Sequence, residues 1–262
     1  MKRRDLKIIF HSDAVWSQSG YGNEVEFLVK RLLREGFQVA QAAKAGLHGH
    51  WIDYRMDEGT LRMYPQVDDP HGSDSMFYGA RHWGAHVAIS MIDTWVIPPQ
   101  WIQQLKQIGC KWIPYCPIDS SPVAPGVLRN FPLADKIITF SKFGQKELLR
   151  HGFVSEMIYE GVDLNLLQPK NKIEARQKLG MPPDIFLWGM IAANKETPPR
   201  KAFQEALEGF KMFFEVHPEA RLFIHTQQIS PGSFPIREYA QYLGIADKVF
   251  FLDQLFASIL AT

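Results

Sequence analysis

Cysteine is scarce in this 262-residue chain: only Cys110 and Cys116 occur, too few for a disulfide framework or a cysteine-rich metal site. A reducing, cytoplasmic setting is therefore the expectation. Charge of one sign is missing too. The 29 Lys and Arg against 28 Asp and Glu leave a net +1, which argues against a general nucleic-acid binder. No apolar run approaches the roughly 20 residues that a membrane span needs. The N-terminus is basic (Met1-Lys2-Arg3-Arg4), but the apolar run behind it breaks at His11-Ser12-Asp13, too soon for a signal peptide. There is no low-complexity segment. The complete G-x-G-x-x-G fingerprint is also absent, since Ser19-Gly20-Tyr21-Gly22 carries only part of it. No acidic residue closes the second strand either, which sets a Rossmann-type oxidoreductase aside. His48 with His50, and His82 with His86, have no evident third ligand, so no metal is expected.

What is present is an ordinary globular composition, 46% apolar and 22% charged, in a chain long enough for one large domain or two modest ones. Residues 7–10 (KIIF) read as a strand buried on both faces, followed by a glycine-containing loop. An amphipathic helix over residues 23–35 follows, with Val25, Leu28, Val29, Leu32 and Leu33 on its inner face and Gly36 as its stop. Residues 38–43 form a second strand. This opening is that of a doubly wound α/β domain. Residues 44–85 give no clear pattern. Strands are then expected at 87–91, 111–115, 136–140 and 157–159, and helices at 99–107 and 141–151. Ser141 is the N-cap of the second of these helices, with Gly152 behind it. Asp93 and Asp119 fall just beyond strand carboxyl ends, where open α/β sheets bind ligands.

Composition shifts near Pro169, which divides the chain into residues 1–168 and 169–262. The second part reads as a short helix at 173–179, a short buried strand at 185–191 and a helix at 201–217. A strand at 220–226, a helix at 235–243 and a strand at 248–252 complete it. Between the first strand and the long helix lies Asn194-Lys195-Glu196-Thr197-Pro198-Pro199-Arg200-Lys201. Prolines suit a first helical turn, and the helix there presents free N–H groups and a positive dipole end beside two cations. That pattern describes a phosphate site.

Taken in order, four landmarks resemble retaining glycosyltransferases of the two-domain GT-B fold, in the large family that includes sucrose synthases and mannosyltransferases (glycosyltransferase family 4). They are Gly20-Tyr21-Gly22; residues 134–141 (ADKIITFS); Gly161-Val162-Asp163 with Pro169 shortly after; and Asn194 with Arg200-Lys201, followed by the strand at 220–226. The resemblance covers nearly the whole chain and is weakest over residues 44–85. It implies a Rossmann-like, acceptor-side N-terminal domain and a Rossmann-like nucleotide-sugar domain. It also implies retention of configuration, with a diphosphate oxygen helping to take the acceptor's proton and no metal or other cofactor. By position, Arg200 and Lys201 would hold the donor diphosphate, with Asn194, Gly20, Tyr21 and Gly22 also on the donor. Asp93, Ser141 and Asp163 are acceptor-side candidates. Asp119 stands where family members often carry a catalytic histidine.

The family's pair of glutamates seven residues apart, which grips the donor sugar and ribose, is expected beyond the last strand and is not found. The C-terminal domain is therefore read as incomplete and the chain as truncated. The expected activity is hexose transfer from a nucleotide-diphosphate sugar to a sugar, lipid or protein acceptor, with peripheral membrane contact as an option. The alternative is an inactive binding or structural module that retains part of the donor site.

Overall fold

A computed structural model describes residues 3–196, 198–226 and 232–251. The chain divides into two compact units, Met1–Leu167 and Gln168–Thr262.

The first unit runs β1 (Lys7–Ser12), α1 (Gly20–Arg34), β2 (Gln38–Ala43), β3 (Ile52–Met56), β4 (Gly59–Tyr64), α2 (Ser73–Trp83), β5 (Val87–Ser90) and α3 (Pro99–Gln107). It continues with β6 (Lys111–Cys116), α4 (Pro125–Leu128), β7 (Ile138–Thr139), α5 (Lys142–Arg150) and β8 (Glu156–Met157). One sheet holds all eight strands in the order β3-β4-β2-β1-β5-β6-β7-β8. Every pairing is parallel except β3 with β4, whose hairpin occupies much of the stretch left unassigned from sequence.

β1 is central, with Ile8 opposite Val39 on one side and Val87 on the other. Its side chains alternate between two apolar layers. Ile8 and Phe10 meet Val25 and Val29 of α1, while Ile9 meets Phe77 of α2 and Trp112. This double burial is why residues 8–10 carry no polar side chain. The sequence places the start of α1 at residue 23, but the helix begins at Gly20, because Ser19 caps it by accepting the Gly22 N–H. Gly36, at φ +84°, then ends the helix as expected.

The second unit runs α6 (Lys172–Lys178), β9 (Leu187–Ile191), α7 (Phe203–Val216), β10 (Arg221–His225), α8 (Ile236–Tyr242) and β11 (Val249–Phe251). Leu252, the expected end of the last strand, lies outside the described residues. The parallel sheet is ordered β11-β10-β9. Its core joins Phe203, Leu207 and Phe210 of α7 to Leu222 and Ile224 of β10 and Ile236 and Ala240 of α8. Each fully buried phenylalanine contributes about 1.5–3 kcal/mol of transfer free energy.

Two expectations are corrected here. β9 is not a buried strand: among the described residues it pairs on one side only, with β10, and Trp188 and Ile191 are 36% and 77% exposed. And α7 starts at Phe203 rather than 201, so Pro198 and Pro199 precede the helix instead of entering its first turn.

Candidate functional site

In the first unit the strand order reverses between β1 and β5, because the chain goes from β1 outward to β2 and later returns to β5. Loops that leave adjacent parallel strands in opposite directions open a crevice at such a switch point. Its first wall is the segment from Asp13 to Tyr21. Ser19 Oγ accepts the Gly22 N–H (3.0 Å) and donates to Asp13 Oδ2 (2.7 Å), while Lys44 Nζ lies 3.4 Å from Asp13 Oδ1. Gln41 fixes the same loop through Asp13 O and the Val15 N–H.

The two glycines at the head of α1 differ. A Cβ on Gly22 would sit 2.4 Å from Ser17 O, so Gly22 is required by the loop's own folding. Around Gly20 nothing lies within 4 Å of that position, and the backbone there is open to approach.

Asp93 follows β5 at the crevice. Burial raises the Tyr21 phenol above its ordinary value, and the charges of Asp93, Cys116, Glu160 and Asp13 add to the rise in that order. Burial, then Asp93, also raises the Cys116 thiol. Glu24 and Glu160 are both raised, mainly by burial. Proximity to Glu24 adds to the shift of Glu160, while the Gly161 N–H donated to Glu24 Oε2 (3.2 Å) opposes the shift of Glu24. Tyr115 is pushed up to about 12 by burial, then by Glu160 and Glu24, and donates to Ile158 O at 3.0 Å. Glu24 also lines a cavity of about 460 Å³ with Phe27, Lys30, Arg34, Tyr159 and Gly161.

Beneath the crevice His11 is fully buried. Its Nε2 lies 2.6 Å from His71 O and its Nδ1 3.3 Å from Ser90 Oγ, which also accepts the Trp112 Nε1–H at 2.8 Å. Desolvation lowers its pKa from 6.5 to about 4.

The remaining first-unit candidates sit as follows. Ser141 caps α5 by accepting the Gly144 N–H (3.0 Å). Asp163 accepts the Asn165 N–H (2.8 Å) and shapes a turn. Asp119 is exposed beyond β6 and makes no side-chain hydrogen bond or ion pair among the described residues. The structure thus gathers Tyr21 and Asp93 and leaves Ser141 and Asp163 in local structural roles. The sequence reading did not single out His11, Glu24, Tyr115 or Glu160. Glu160 was within reach, since it follows the carboxyl end of a strand just as Asp93 and Asp119 do. His82 bonds Tyr64 Oη (2.8 Å) and His86 accepts the Lys7 N–H (3.0 Å), and among the described residues no three metal-ligating side chains come together.

In the second unit, Asn194 is buried and its amide clasps one backbone unit: Nδ2 donates to Phe234 O and Oδ1 accepts the Phe234 N–H, both at 2.9 Å. The loop then runs to Arg200, whose exposed guanidinium bonds Glu196 at 3.2 Å (Thr197 lies outside the described residues), and to the exposed Lys201. Ala202 turns the chain into α7 at φ 53°, in the left-handed region that costs a residue with a Cβ about 1 kcal/mol. The N-cap residue, Ala202, offers no side-chain hydrogen bond to α7. Its first-turn N–H groups and positive dipole end therefore stand next to two exposed cations, an arrangement suited to an anion.

No protein-family profile and no curated protein sequence matches the chain. Solved structures do match. HepE of Anabaena, in complex with UDP, is 15% identical with a TM-score of 0.60, over 94% of this chain and 69% of its own. A glycosyltransferase of Rickettsia africae is 12% identical with a TM-score of 0.61, over 97% and 70%. A Listeria monocytogenes protein assigned as a UDP-N-acetylglucosamine 2-epimerase is 12% identical with a TM-score of 0.58, over 95% and 69%. At these identities the likeness speaks for architecture: the chain has a GT-B-like α/β fold built from Rossmann-like units.

Proposed function

We propose that this chain is a glycosyltransferase, or the N-terminal portion of one, that moves a hexose from a nucleotide-diphosphate sugar to an acceptor hydroxyl with retention of configuration. The observation that carries this reading is the start of α7, which its N-cap Ala202 leaves without a side-chain cap, beside Arg200 and Lys201, in a fold that HepE shares and that in HepE is found with UDP. Expelling a nucleoside diphosphate places growing negative charge on the bridging oxygen. Cations and fixed N–H donors stabilise that charge most when the bond is broken, which accelerates transfer rather than merely binding substrate. A glycosidase would instead need two facing carboxylates to assist a poor leaving group. Arg200 must exchange Glu196 for the phosphate, and Lys201 supplies the second charge. In the first unit Tyr21, Asp93 and Asp119 are assigned to the sugar and the acceptor. No metal is required by this scheme.

Turnover of a UDP-, GDP- or ADP-sugar by the full natural product, with Arg200→Ala beside it, tests the proposal. A loss of about a hundredfold or more in kcat is expected from removing a transition-state charge contact. A rate within about threefold of the parent would remove Arg200 from the donor site.

The second reading, a nucleotide-sugar-binding module without transfer, is favoured by the Glu196–Arg200 pair, which occupies the guanidinium. Calorimetry with UDP and GDP separates the two, because saturable binding without turnover supports the module alone.

A further inference from the structure

The chain has seven tryptophans, and six of them are engaged within the fold. Trp112 is buried and donates to Ser90 Oγ, Trp16 donates its indole N–H to Gly46 O at 3.1 Å, and Trp51 and Trp83 lie under the charges of Arg62 and Lys7. Trp101 packs against Phe77 and Tyr78, and Trp188 against Phe210 and Phe213. Trp95 stands apart. It is the most exposed of the seven, at 54%, and among the described residues its indole has no ring, cation or hydrogen-bond partner.

The backbone beneath this ring is held firmly. Residues Thr94–Val96 form a 3-10 turn directly after Asp93. Thr94 Oγ1 donates to Val127 O (3.0 Å), and the buried Asn130 amide donates to Thr94 O (2.9 Å) and Ile97 O (2.8 Å). Arg129 donates to Trp95 O at 3.1 Å. All four bonds tie the turn to the segment that follows β6. A ring mounted in this way is offered to solvent in a fixed place, so little freedom is lost when a ligand covers it.

The ring stands two residues beyond Asp93, on the loop that leaves the carboxyl end of β5 at the switch-point crevice. The exposed Asp119, Ser120 and Ser121 belong to the next loop, which leads from β6 toward α4. A flat apolar face with a carboxylate close by in the chain suits a saccharide. One face of a sugar ring presents C–H groups whose hydrogens carry slight positive charge, which meets the negative face of an indole. The hydroxyls around the ring donate to carboxylates in charge-assisted hydrogen bonds. A lipid or protein partner would call for a contiguous apolar patch of roughly several hundred Å². Here a single ring projects from a turn flanked by Asp93 and bonded by Arg129.

On the reading of this chain as a transferase, we propose that Trp95 is the stacking platform of the acceptor subsite, that Asp93 binds hydroxyls of the stacked ring, and that the acceptor is a saccharide.

The indole N–H resonance of Trp95, identified by its loss in Trp95→Phe, reports on this site in the 262-residue chain. It is followed during titration with glucose, mannose, galactose, N-acetylglucosamine, maltose and cellobiose, and at least one of these should move it saturably. Trp95→Ala should weaken that binding at least about tenfold, read by saturation-transfer NMR, while Trp95→Tyr, which keeps a ring, should recover part of it. The alanine variant should fold, because the bond from Arg129 reaches the backbone carbonyl and not the ring. Asp93→Asn should weaken binding at least about threefold. In turnover with the same saccharide as acceptor, Trp95→Ala should raise the acceptor KM and leave the donor KM unchanged. A resonance that no saccharide moves would overturn the proposal. So would one moved instead by phosphatidylcholine–phosphatidylglycerol vesicles or by raising the protein concentration alone, since a membrane or a second copy would then be the occupant. Saturable saccharide binding in a protein that turns over no nucleotide sugar would sink the transfer reading and leave the saccharide site standing. Turnover with an acceptor KM unchanged in Trp95→Ala would do the reverse.

Discussion

Gly20 and Gly22 look alike in sequence and differ in what surrounds them. A Cβ at Gly22 meets the Ser17 carbonyl at 2.4 Å, whereas at Gly20 it meets nothing. Gly22→Ala should therefore destabilise by about 1–3 kcal/mol, the range for forced overpacking. Gly20→Ala should be neutral or stabilising by up to about 1 kcal/mol, as the unfolded chain loses freedom. Urea denaturation of both variants measures this, and equal losses would refute the distinction. Asn194 carries a related lesson. Its place in the sequence, after a strand and before two cations, suggests a ligand contact, but its amide grips Phe234, 40 residues onward. A partner so distant in the chain leaves no mark on the local pattern. Asn194→Ala should cost about 1–3 kcal/mol of stability, because it leaves the Phe234 N–H and C=O without that partner. A variant as stable as the parent in thermal melting would contradict this.

At the scale of elements, periodicity identified α1, α3, α5 and α7, which each bury one stripe, and the central strands, since β1 is buried on both faces; it missed α2, longer than α3 and α5, in the stretch 44–85. It failed where the outcome depends on neighbours. Residues 185–191 are as apolar as an interior strand, and only the sheet order shows that, among the described residues, β9 pairs on one side only. The antiparallel hairpin of β3 and β4 was missed because Ile52, Asp53, Tyr54 and Arg55 are all exposed, so no buried alternation marks β3. The start of α7 was placed early because prolines favour a first turn, whereas the chain uses them ahead of a left-handed Ala202. That residue offers a clean test of the loop's design. Ala202→Gly removes the steric cost of φ 53° and should raise stability by up to about 1 kcal/mol. If the chain is a transferase, the variant should lose activity only in so far as a looser loop misplaces Arg200 and Lys201. An unchanged or lowered denaturation midpoint would mean that Ala202 is not strained in solution.

For the whole molecule, the two units differ in how much of their chemistry is internal. The second exposes its cations on a loop, while the first hides a polar chain between its apolar layers, His71 O to His11 to Ser90 to Trp112. No sequence pattern announces this, since a histidine in a strand reads as a break in the apolar run. Its consequence is a pH dependence. The unfolded chain takes up a proton on His11 near pH 6.5, but the folded unit refuses it until about pH 4. Between those values the unfolded state binds more protons, so stability falls as pH is lowered through the window. The loss should reach roughly 2–3 kcal/mol by pH 4.5, a sizeable share of a typical folding free energy. The carboxyls of Glu24 and Glu160, raised by burial, act in the opposite sense, since they are more easily protonated when folded. The measurement is therefore a difference: denaturant stability at pH 7 and 4.5 for the parent and for His11→Gln. The variant should start lower, because glutamine cannot reproduce both ring contacts, yet lose less on acidification. Parallel pH profiles would show that His11 is not buried neutral, and the compact packing of β1 against β5 and the His71 loop would then need revision.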